Sequence, residues 1–477
     1  MTKGLRTRVA PSPSSERKSL HCGNIRTALY AYLVAKQTGG TFYVRLEDSD
    51  IARNVPGCAE GMIDDLKWLG IGPDEGYGTA NQPYGPYTQL EHTKHYMQMA
   101  EYLIEKGLAY KCVCRQTDLD KEREEWNAKY PKQPWVYDGR CRKLNKDPDK
   151  DYVIRFKAPK EGETVHDDLV YGKIVYPHKE NYDFIMMRAN GNGLYNFLSV
   201  LGDIQHQTDV VIRGRDHSGP NTLHQILLYK AFGANLPRFG HLSMVNNMAG
   251  QKLAKRDGAT DTKEMQAMGY SPEAVVSYIA RLGWGHKNDE LFSMSELVEK
   301  FDITRCGRSD VKLDYTKFAA INFAILKDTK YTNDELYAKH LLSFVRAKDL
   351  DVSSERLQSL IPLVRFRSRT LIEAANELDP ILRPTIAIDP IASEKFLTPA
   401  NKTHLQNLAT NLKQVDNWSE ETLRAATTNW LNANGLSLKD LQQPIRVASI
   451  GRTTGPELFQ TLHVLGKDIA IERLSVA

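Results

Sequence analysis

The order of hydrophobic and polar positions predicts alternating strands and helices in the first part of the chain. Residues 5–10 are predicted to form a short strand, and apolar positions within 25–33 then follow the spacing of one helix face. A second strand is predicted at 42–46, a second helix at 62–69 and a further strand at 210–214. This order indicates an open α/β sheet, which binds ligands at the carboxyl ends of its strands.

The pattern changes beyond residue 330, where helical spacing recurs without a series of alternating strands. The predicted helical segments are 336–345, 355–378, 405–415, 420–431 and 455–464. The sequence therefore predicts an α/β part followed by an all-α part.

Composition narrows the class of protein only slightly. The 477 residues include 63 Lys and Arg against 59 Asp and Glu, a net charge of +4, so no general basic field indicates nucleic acid. A nucleic-acid-binding protein needs only one basic face, so this class stays open. No apolar run approaches a membrane span, and the first residues lead directly into a strand, so we expect a cytosolic protein. The six cysteines are too sparse for a disulfide framework, and we expect Cys22, Cys58 and Cys306 to be packing residues.

Two short segments far apart in the chain carry the candidate chemistry. Residues 20–24 place His21 and Gly23 at the start of a predicted helix, where backbone N–H groups favour phosphate. Residues 252–256 place Lys252 and Lys255 three positions apart, which suits a mobile loop that closes over phosphates. A lone histidine before a helix is more often structural, but the two segments together resemble the two ATP signatures of class I aminoacyl-tRNA synthetases.

Further segments resemble glutamyl-tRNA synthetases, from about residue 5 to the C-terminus. They are residues 6–13, 21–29, 44–48, 85–89, 211–214, 280–284 and 444–467. Glutaminyl enzymes share the N-terminal half but carry β-barrels in the C-terminal half, whereas the helical pattern here resembles the bacterial glutamyl type. The resemblance implies a Rossmann-like class I catalytic domain with an inserted acceptor-stem-binding domain, followed by an all-α anticodon-binding region.

The resemblance also implies the domain boundaries. We expect the two halves of the catalytic domain at 1–88 and 194–246, the insertion at 89–193, a stem-contact module with the lysine loop at 247–330 and the anticodon-binding region at 331–477.

The family's glutamate pocket maps onto five positions of this chain. Arginine offers a planar fork that suits a carboxylate, and two arginines belong to the set. The implied pocket residues are Arg8, Ser12, Glu47, Tyr195 and Arg213. The alternative is that Arg8 and Glu47 only pair across adjacent strands.

The family's ATP site maps onto the two signature segments and a turn after the strand at 210–214. The implied ATP-binding residues are His21, Gly23, Asn24, Asp216, His217, Lys252 and Lys255, and His21, Gly23, Lys252 and Lys255 are the implied catalytic set. Asp216 and His217 are expected at the adenosine end. The implied reaction joins L-glutamate to the terminal adenosine of tRNA(Glu) through glutamyl-adenylate, with Mg²⁺ on the phosphates and tRNA bound before activation.

The insertion carries a cluster of metal-ligand residue types. Cys112, Cys114, Tyr137 and Cys141 are similar to a Cys-x-Cys…Tyr-x-x-x-Cys zinc arrangement of some glutamyl enzymes, which implies one structural Zn²⁺. Three thiols without metal are the alternative. His166 and His178 fall outside this spacing and are expected at the surface.

In the helical part, Arg365 and Arg367, with Arg369 beside them, form a basic cluster suited to the exposed bases of an anticodon loop. A solvated charged face is the alternative.

Three features depart from the family pattern. Residues 14–19 make the loop before His21 longer and remove a usual glycine, Ala254 replaces a serine, and Arg215 stands where an acidic residue is common. They motivate one rival hypothesis, a tRNA-binding homologue without catalysis. A second rival is a non-discriminating or glutamine-charging relative. The leading hypothesis is an active, monomeric glutamate–tRNA ligase.

Overall fold

The structure is a computed structural model that describes residues 4–143, 151–253 and 260–476. The chain folds into two compact units, Met1–Glu264 with Val276–Asp314, and Met265–Val275 with Tyr315–Ala477. The chain passes from the first unit to the second within the helix α7 (Thr262–Ala267) and returns to the first unit within the helix α8 (Pro272–Ala280). Within the described ranges, no helix has the length and apolarity needed to cross a membrane.

The first unit is built on a parallel five-stranded sheet, in the order β10-β9-β1-β2-β3. Its strands are β1 (Arg6–Val9), β2 (Thr41–Val44), β3 (Glu75–Gly76), β9 (Val210–Gly214) and β10 (Arg238–Leu242). The helices of this layer are α1 (Cys22–Gln37), α2 (Cys58–Trp68), α5 (Tyr195–Gln205) and α6 (Pro220–Phe232). The prediction of a Rossmann-like α/β sheet is confirmed, with β1 at its centre.

The segment between β3 and α5 forms smaller sheets of its own. Its elements are α3 (Thr93–Glu105), β4 (Ala109–Cys112), α4 (Gln116–Lys129), β5 (Val153–Phe156), β6 (Glu163–Asp168), β7 (Gly172–Pro177) and β8 (Ile185–Met187). An antiparallel sheet has the order β4-β5-β8, and β6 and β7 form an antiparallel hairpin that lies against β10. The unit is completed by α9 (Met294–Lys300) and the parallel pair β11 (Val245–Asn246) and β12 (Val311–Lys312).

The second unit is helical, as predicted, and packs one large apolar core. Its helices are α10 (Tyr315–Lys327), α11 (Asp334–Arg346), α12 (Ser354–Val364), α13 (Leu371–Leu382), α14 (Pro390–Phe396), α15 (Pro399–Leu412), α16 (Glu420–Ala433), α17 (Leu438–Ile450), α18 (Leu458–Leu465) and α19 (Lys467–Val476). The single segment predicted at 355–378 is wrong, because two helices occupy it. Thr370 accepts a hydrogen bond from the backbone of Glu373 and so begins α13 with a side-chain cap.

Two sequence expectations about side-chain position are corrected. His166 and His178, expected at the surface, are both buried in the segment of the β6–β7 hairpin. His178 is fixed there by the Thr164 hydroxyl, 2.8 Å from its Nε2, and by the Glu161 carbonyl, 2.7 Å from its Nδ1. Alternation along β6 places positions 164, 166 and 168 on the inner face, whereas its apolar residue Val165 is exposed, so the hydrophobic pattern of the sequence did not indicate the buried face.

Candidate active site

His21 lies close to Lys252 and Asp261, two of the described residues on either side of 254–259. His21 is the N-cap of α1, and its Nδ1 accepts a hydrogen bond from the Gly23 N–H at 3.3 Å. The backbone of His21 bridges to that of Asp261. Desolvation of the ring is the largest effect on the pKa of His21 and lowers it, and the charge of Lys252 acts in the same direction. Lys255, with Ala254, lies outside the described residues.

Gly23 is not required by packing within the protein. A Cβ built on it would meet only His21 Nδ1, at 3.8 Å. Asn24 is exposed in the first turn of α1. The start of this helix therefore presents little side-chain bulk, which permits close approach of a phosphate, while the N–H groups of Cys22, Gly23 and Asn24 have acceptors within the protein.

The longer loop before His21 is tied down at both sides. Arg17 pairs with Asp261 at 2.7 Å and with Glu264. Ser19 donates its hydroxyl to Asp65 of α2 at 2.8 Å, and the Leu20 N–H donates to the same carboxylate at 2.7 Å. The loop thus connects α2 with Asp261 and Glu264, at the start of α7.

A second group of side chains converges at the carboxyl ends of β1, β2 and β9. Ser12, Glu47 and Tyr195 line one cavity of about 640 Å³. Burial raises the pKa of the Tyr195 hydroxyl, and the charges of Arg213, Glu47 and Arg8 all act on that pKa. The five positions of the expected glutamate pocket are therefore neighbours, although they come from distant parts of the chain.

The alternative in which Arg8 simply pairs with Glu47 is not what the structure has. Arg8 donates from Nε and Nη2 to the two carboxylate oxygens of Asp203, each at 3.1 Å. Glu47 lies 3.5 Å from Arg45, and Arg45 also donates to Asp203 at 2.6 Å.

Sequence reasoning missed Arg45 and Asp203. Their side chains are 1% and 3% exposed, respectively. Room for the Arg45 guanidinium comes from Gly202, where a Cβ would stand 2.7 Å from Arg45 Nη1. The sequence signal was an aspartate among the apolar positions of α5, which implies a buried cation nearby.

Burial and charge act in opposite directions on the carboxylates of this cluster. Burial alone would raise the pKa of Asp203, but Arg45 and Arg8 hold it well below the ordinary value. For Glu47, burial outweighs the attraction of Arg45 and raises the pKa.

Arg213 has a different environment from Arg8. Its guanidinium donates from Nε to His241 Nε2 at 3.1 Å, from Nη1 to Gln225 at 2.7 Å and from Nη2 to Thr222 at 2.8 Å. All three acceptors are neutral when the imidazole is neutral, so none of these bonds brings a counter-charge to a side chain that is 5% exposed. None of these acceptors was identified from the sequence.

His217 lies beside Tyr195 of the expected glutamate pocket. Its Nδ1 is 3.3 Å from the Tyr195 hydroxyl, and burial together with Arg213 lowers its pKa to about 4. The turn that follows β9 directs it there, whereas the neighbouring Asp216 is exposed. The positive charge of Arg215 is paired with Asp310 at 3.2 Å.

The residues expected to hold zinc lie together in the insertion. Cys114 Sγ is 3.5 Å from Cys141 Sγ, and the Tyr137 hydroxyl is 3.4 Å from Cys112 Sγ and 3.6 Å from Cys114 Sγ. Ligands about 2.3 Å from a tetrahedral zinc are about 3.8 Å apart, so the spacing and the three thiols fit the ion, whereas tyrosine is not one of its usual ligands. We call these four residues the thiol cluster.

The basic cluster of the helical unit divides into buried and exposed members. Arg365 is 3% exposed and donates to the carbonyls of Leu326 and Thr332 and to the Asp334 carboxylate, at 2.5–2.8 Å. The expectation that Arg365 meets tRNA does not fit this burial, because its hydrogen bonds tie α12 to its neighbours. Arg367 is exposed.

A Rossmann-like parallel sheet with a histidine at a helix N-terminus and a lysine beside it defines a nucleotide-binding catalytic domain of the class I synthetase type. The comparisons with known proteins agree. Residues 4–319 match the family described as tRNA synthetases class I (E and Q), catalytic domain, and residues 336–477 match the anticodon binding domain family. The chain belongs to the class I tRNA synthetases of the E and Q type.

The similarity between this chain and the proteins that it matches extends over nearly the whole chain. A glutamate–tRNA ligase of Geobacter sulfurreducens is 37% identical over 98% of this chain and 97% of its own length. A ligase of the same name from an Anaeromyxobacter species is 37% identical over 99% of this chain and 98% of its own length. The crystal structure of a glutamate tRNA ligase from Elizabethkingia meningosepticum, solved with its amino acid, has 28% identity and a TM-score of 0.82, covering 99% of this chain and 98% of that one.

Proposed function

We propose that this chain is a glutamate–tRNA ligase that joins L-glutamate to the terminal adenosine of tRNA(Glu), with ATP as the second substrate. The observation that carries the proposal is the buried charge of the pocket. Arg8 and Arg45 pair with the carboxylates of Asp203 and Glu47, whereas the direct hydrogen-bond partners of the buried Arg213 are all neutral. Glutamate carries one negative charge in excess, whereas glutamine carries none, so the pocket complements glutamate.

Each pocket residue has a role in this proposal. Asp203 occupies two of the donor nitrogens of Arg8, Nε and Nη2, so Nη1 is directed to a substrate carboxylate. Arg213 binds the other carboxylate with the N–H groups that its neutral partners do not use. Glu47 holds the α-ammonium group, and Ser12 and Tyr195 complete the wall.

The reaction needs no protein nucleophile. The α-carboxylate of glutamate attacks the α-phosphorus of ATP and pyrophosphate leaves. The 2′-hydroxyl of the terminal adenosine then attacks the glutamyl carbonyl of the adenylate, loses its proton and releases AMP. His21 donates to the phosphates as charge develops, while Lys252 and Lys255 neutralise the departing pyrophosphate. Mg²⁺, also part of the proposal, supplies further neutralisation of the phosphate charge.

The other parts of the chain are assigned by the same proposal. The insertion meets the acceptor stem, and the thiol cluster holds one structural Zn²⁺ that fixes β4 to the following turn. Residues 331–477 bind the anticodon, with Arg367 as a contact. We propose the cytosol as the compartment, which keeps thiols reduced, in keeping with six free cysteines.

The test is aminoacylation of total bacterial tRNA with radiolabelled glutamate and, separately, glutamine. We expect glutamate charging, no comparable glutamine charging and ATP–pyrophosphate exchange only when tRNA is present. Arg213→Gln should raise the glutamate KM about tenfold or more, because a bond between two charged groups is lost. Arg238→Gln, on the exposed start of the neighbouring β10, is the matched control and should behave as wild type. Folded protein that binds tRNA but charges neither amino acid would contradict the proposal.

A further inference from the structure

Arg213 depends on a histidine whose protonation site matters. The Nε–H of Arg213 points at His241 Nε2, 3.1 Å away. An imidazole nitrogen accepts a hydrogen bond only when it carries no proton, so the ring must carry its proton on Nδ1 for this bond to exist.

Asp168 supplies the group that selects this protonation site. Its Oδ2 is 2.6 Å from His241 Nδ1, and neither side chain is exposed. Oδ1 of the same carboxylate accepts the N–H groups of Val170 and Tyr171, each at 2.9 Å, which fixes the orientation of the carboxylate. The resulting series of hydrogen bonds runs from Asp168 in the insertion, through His241 on β10, to Arg213 on β9.

The ionisation states agree with this geometry. Burial lowers the pKa of His241 and outweighs the bond to Asp168, and Arg213 lowers that pKa further, so the ring is neutral near pH 7. Burial alone would raise the pKa of Asp168, but the adjacent His166 and His241 rings hold it well below its ordinary value. A neutral histidine between a carboxylate and a guanidinium has one stable arrangement of its proton.

A metal ion is a poorer explanation of the same cluster. His166, Asp168 and His241 are ligand types within reach of one another. However, two ligand atoms about 2.0–2.1 Å from a tetrahedral zinc stand about 3.3 Å apart. The 2.6 Å between Asp168 and His241 is the length of a charge-assisted hydrogen bond, and His166 Nε2 lies 3.7 Å from the same oxygen.

We propose that Asp168 and His241 are positioning residues for glutamate binding: Asp168 fixes the proton of His241 on Nδ1, and His241 thereby orients the guanidinium of Arg213 toward the substrate carboxylate. This inference rests on the proposed function, in which Arg213 binds glutamate. It assigns to a residue of the insertion a part in amino-acid recognition, in addition to the contact with the acceptor stem proposed for that segment.

The decisive variant is Asp168→Asn, because it changes charge and donors but almost no volume. The amide oxygen can keep the turn bonds to Val170 and Tyr171, and its NH₂ group then faces His241 Nδ1. The histidine proton is displaced to Nε2, where its N–H confronts the N–H of Arg213. We expect the glutamate KM of the full-length enzyme to rise about tenfold or more, while the ATP KM and kcat stay within about threefold of wild type.

A second variant tests whether Asp168 acts through the histidine. In His241→Gln an amide oxygen can accept from Arg213 without any choice of protonation site. In that background, Asp168→Asn should change the glutamate KM by less than about twofold, as a double-mutant cycle of coupled residues requires. Thr164→Val is the matched control, because it removes the buried bond to His178 in the same hairpin without touching Arg213.

The outcomes separate the possibilities. The inference is overturned if Asp168→Asn leaves the glutamate KM unchanged, or raises the ATP KM as much as the glutamate KM. It is also overturned if Asp168→Asn has the same effect on the glutamate KM in the wild-type and His241→Gln backgrounds, or if Thr164→Val raises the glutamate KM to a similar extent. Each of these results would leave the proposed function intact. A wild-type protein that charges no glutamate would overturn both.

Discussion

Asp203 is the residue whose removal tests the buried charge network most directly. Its carboxylate accepts two bonds from Arg8 at 3.1 Å and one from Arg45 at 2.6 Å. Asp203→Asn keeps the shape but places an NH₂ group against guanidinium donors and leaves two buried cations with only Glu47 nearby. Breaking a buried ion pair by removing one partner costs about 3–5 kcal/mol, so we expect the first unit to lose stability on that scale.

The assay is urea unfolding followed by peptide-resolved hydrogen exchange, which reports the first unit separately. Glu75→Gln is the matched control, because Glu75 pairs with Arg6 in the same sheet, also buried, at 2.5 Å. Both variants should lose stability, but only Asp203→Asn should also raise the glutamate KM. A loss below about 1 kcal/mol for Asp203→Asn, small against the cost of an uncompensated buried charge, or an equal rise in glutamate KM for Glu75→Gln would refute the reasoning.

The pH dependence of the stability tests whether Asp203 is ionised in the folded protein. The folded pKa of Asp203 lies below its ordinary value, so the stability that it contributes is present above the unfolded pKa and is lost as the pH falls through the folded pKa. The stability difference between wild type and Asp203→Asn should therefore be constant above about pH 5 and shrink below about pH 4. A difference that grows on acidification would contradict the assignment of an ionised Asp203.

Three further predictions follow from other parts of the chain. Arg17→Gln should raise the ATP KM by about two- to tenfold through loss of an ion-pair network, with the glutamate KM and melting temperature little changed. An unchanged ATP KM would show that Arg17 does not support ATP binding through the loop before His21. Native mass spectrometry should find one zinc per chain, and its removal by a chelator should lower the melting temperature; protein that takes up no metal when zinc is supplied would contradict the thiol-cluster assignment. Arg367→Gln should weaken tRNA binding and reduce the slope of log K against log salt concentration by about 0.7–0.9, measured by titration at several salt concentrations. Arg365→Gln should chiefly destabilise the helical unit. The reverse pattern would refute the assignment of Arg367 to tRNA binding and of Arg365 to stability.

The sequence predicted the parallel sheet and the juxtaposition of His21 with Lys252, because both depend on local periodicity and on segments that resemble a known family. It did not predict the partners of the arginines. Arg8 and Asp203 are 195 residues apart, and several carboxylates of similar character were available. Which carboxylate meets a buried cation depends on how helices pack on the sheet, which no local pattern contains.

The loop at residues 14–19 departs from the family pattern, but its hydrogen bonds and ion pairs make it part of the candidate ATP site. A missing glycine removes one way of making a tight turn, but the longer loop makes specific bonds instead, from Ser19 to Asp65 and from Arg17 to Asp261. Since the backbone of Asp261 also bridges to His21, these bonds connect the residues before His21 with α2 and with the region that follows the lysine segment in the chain. This loop, one of the three departures that motivated the hypothesis of an inactive homologue, therefore stabilises the region around His21, and we expect it to preserve ATP binding.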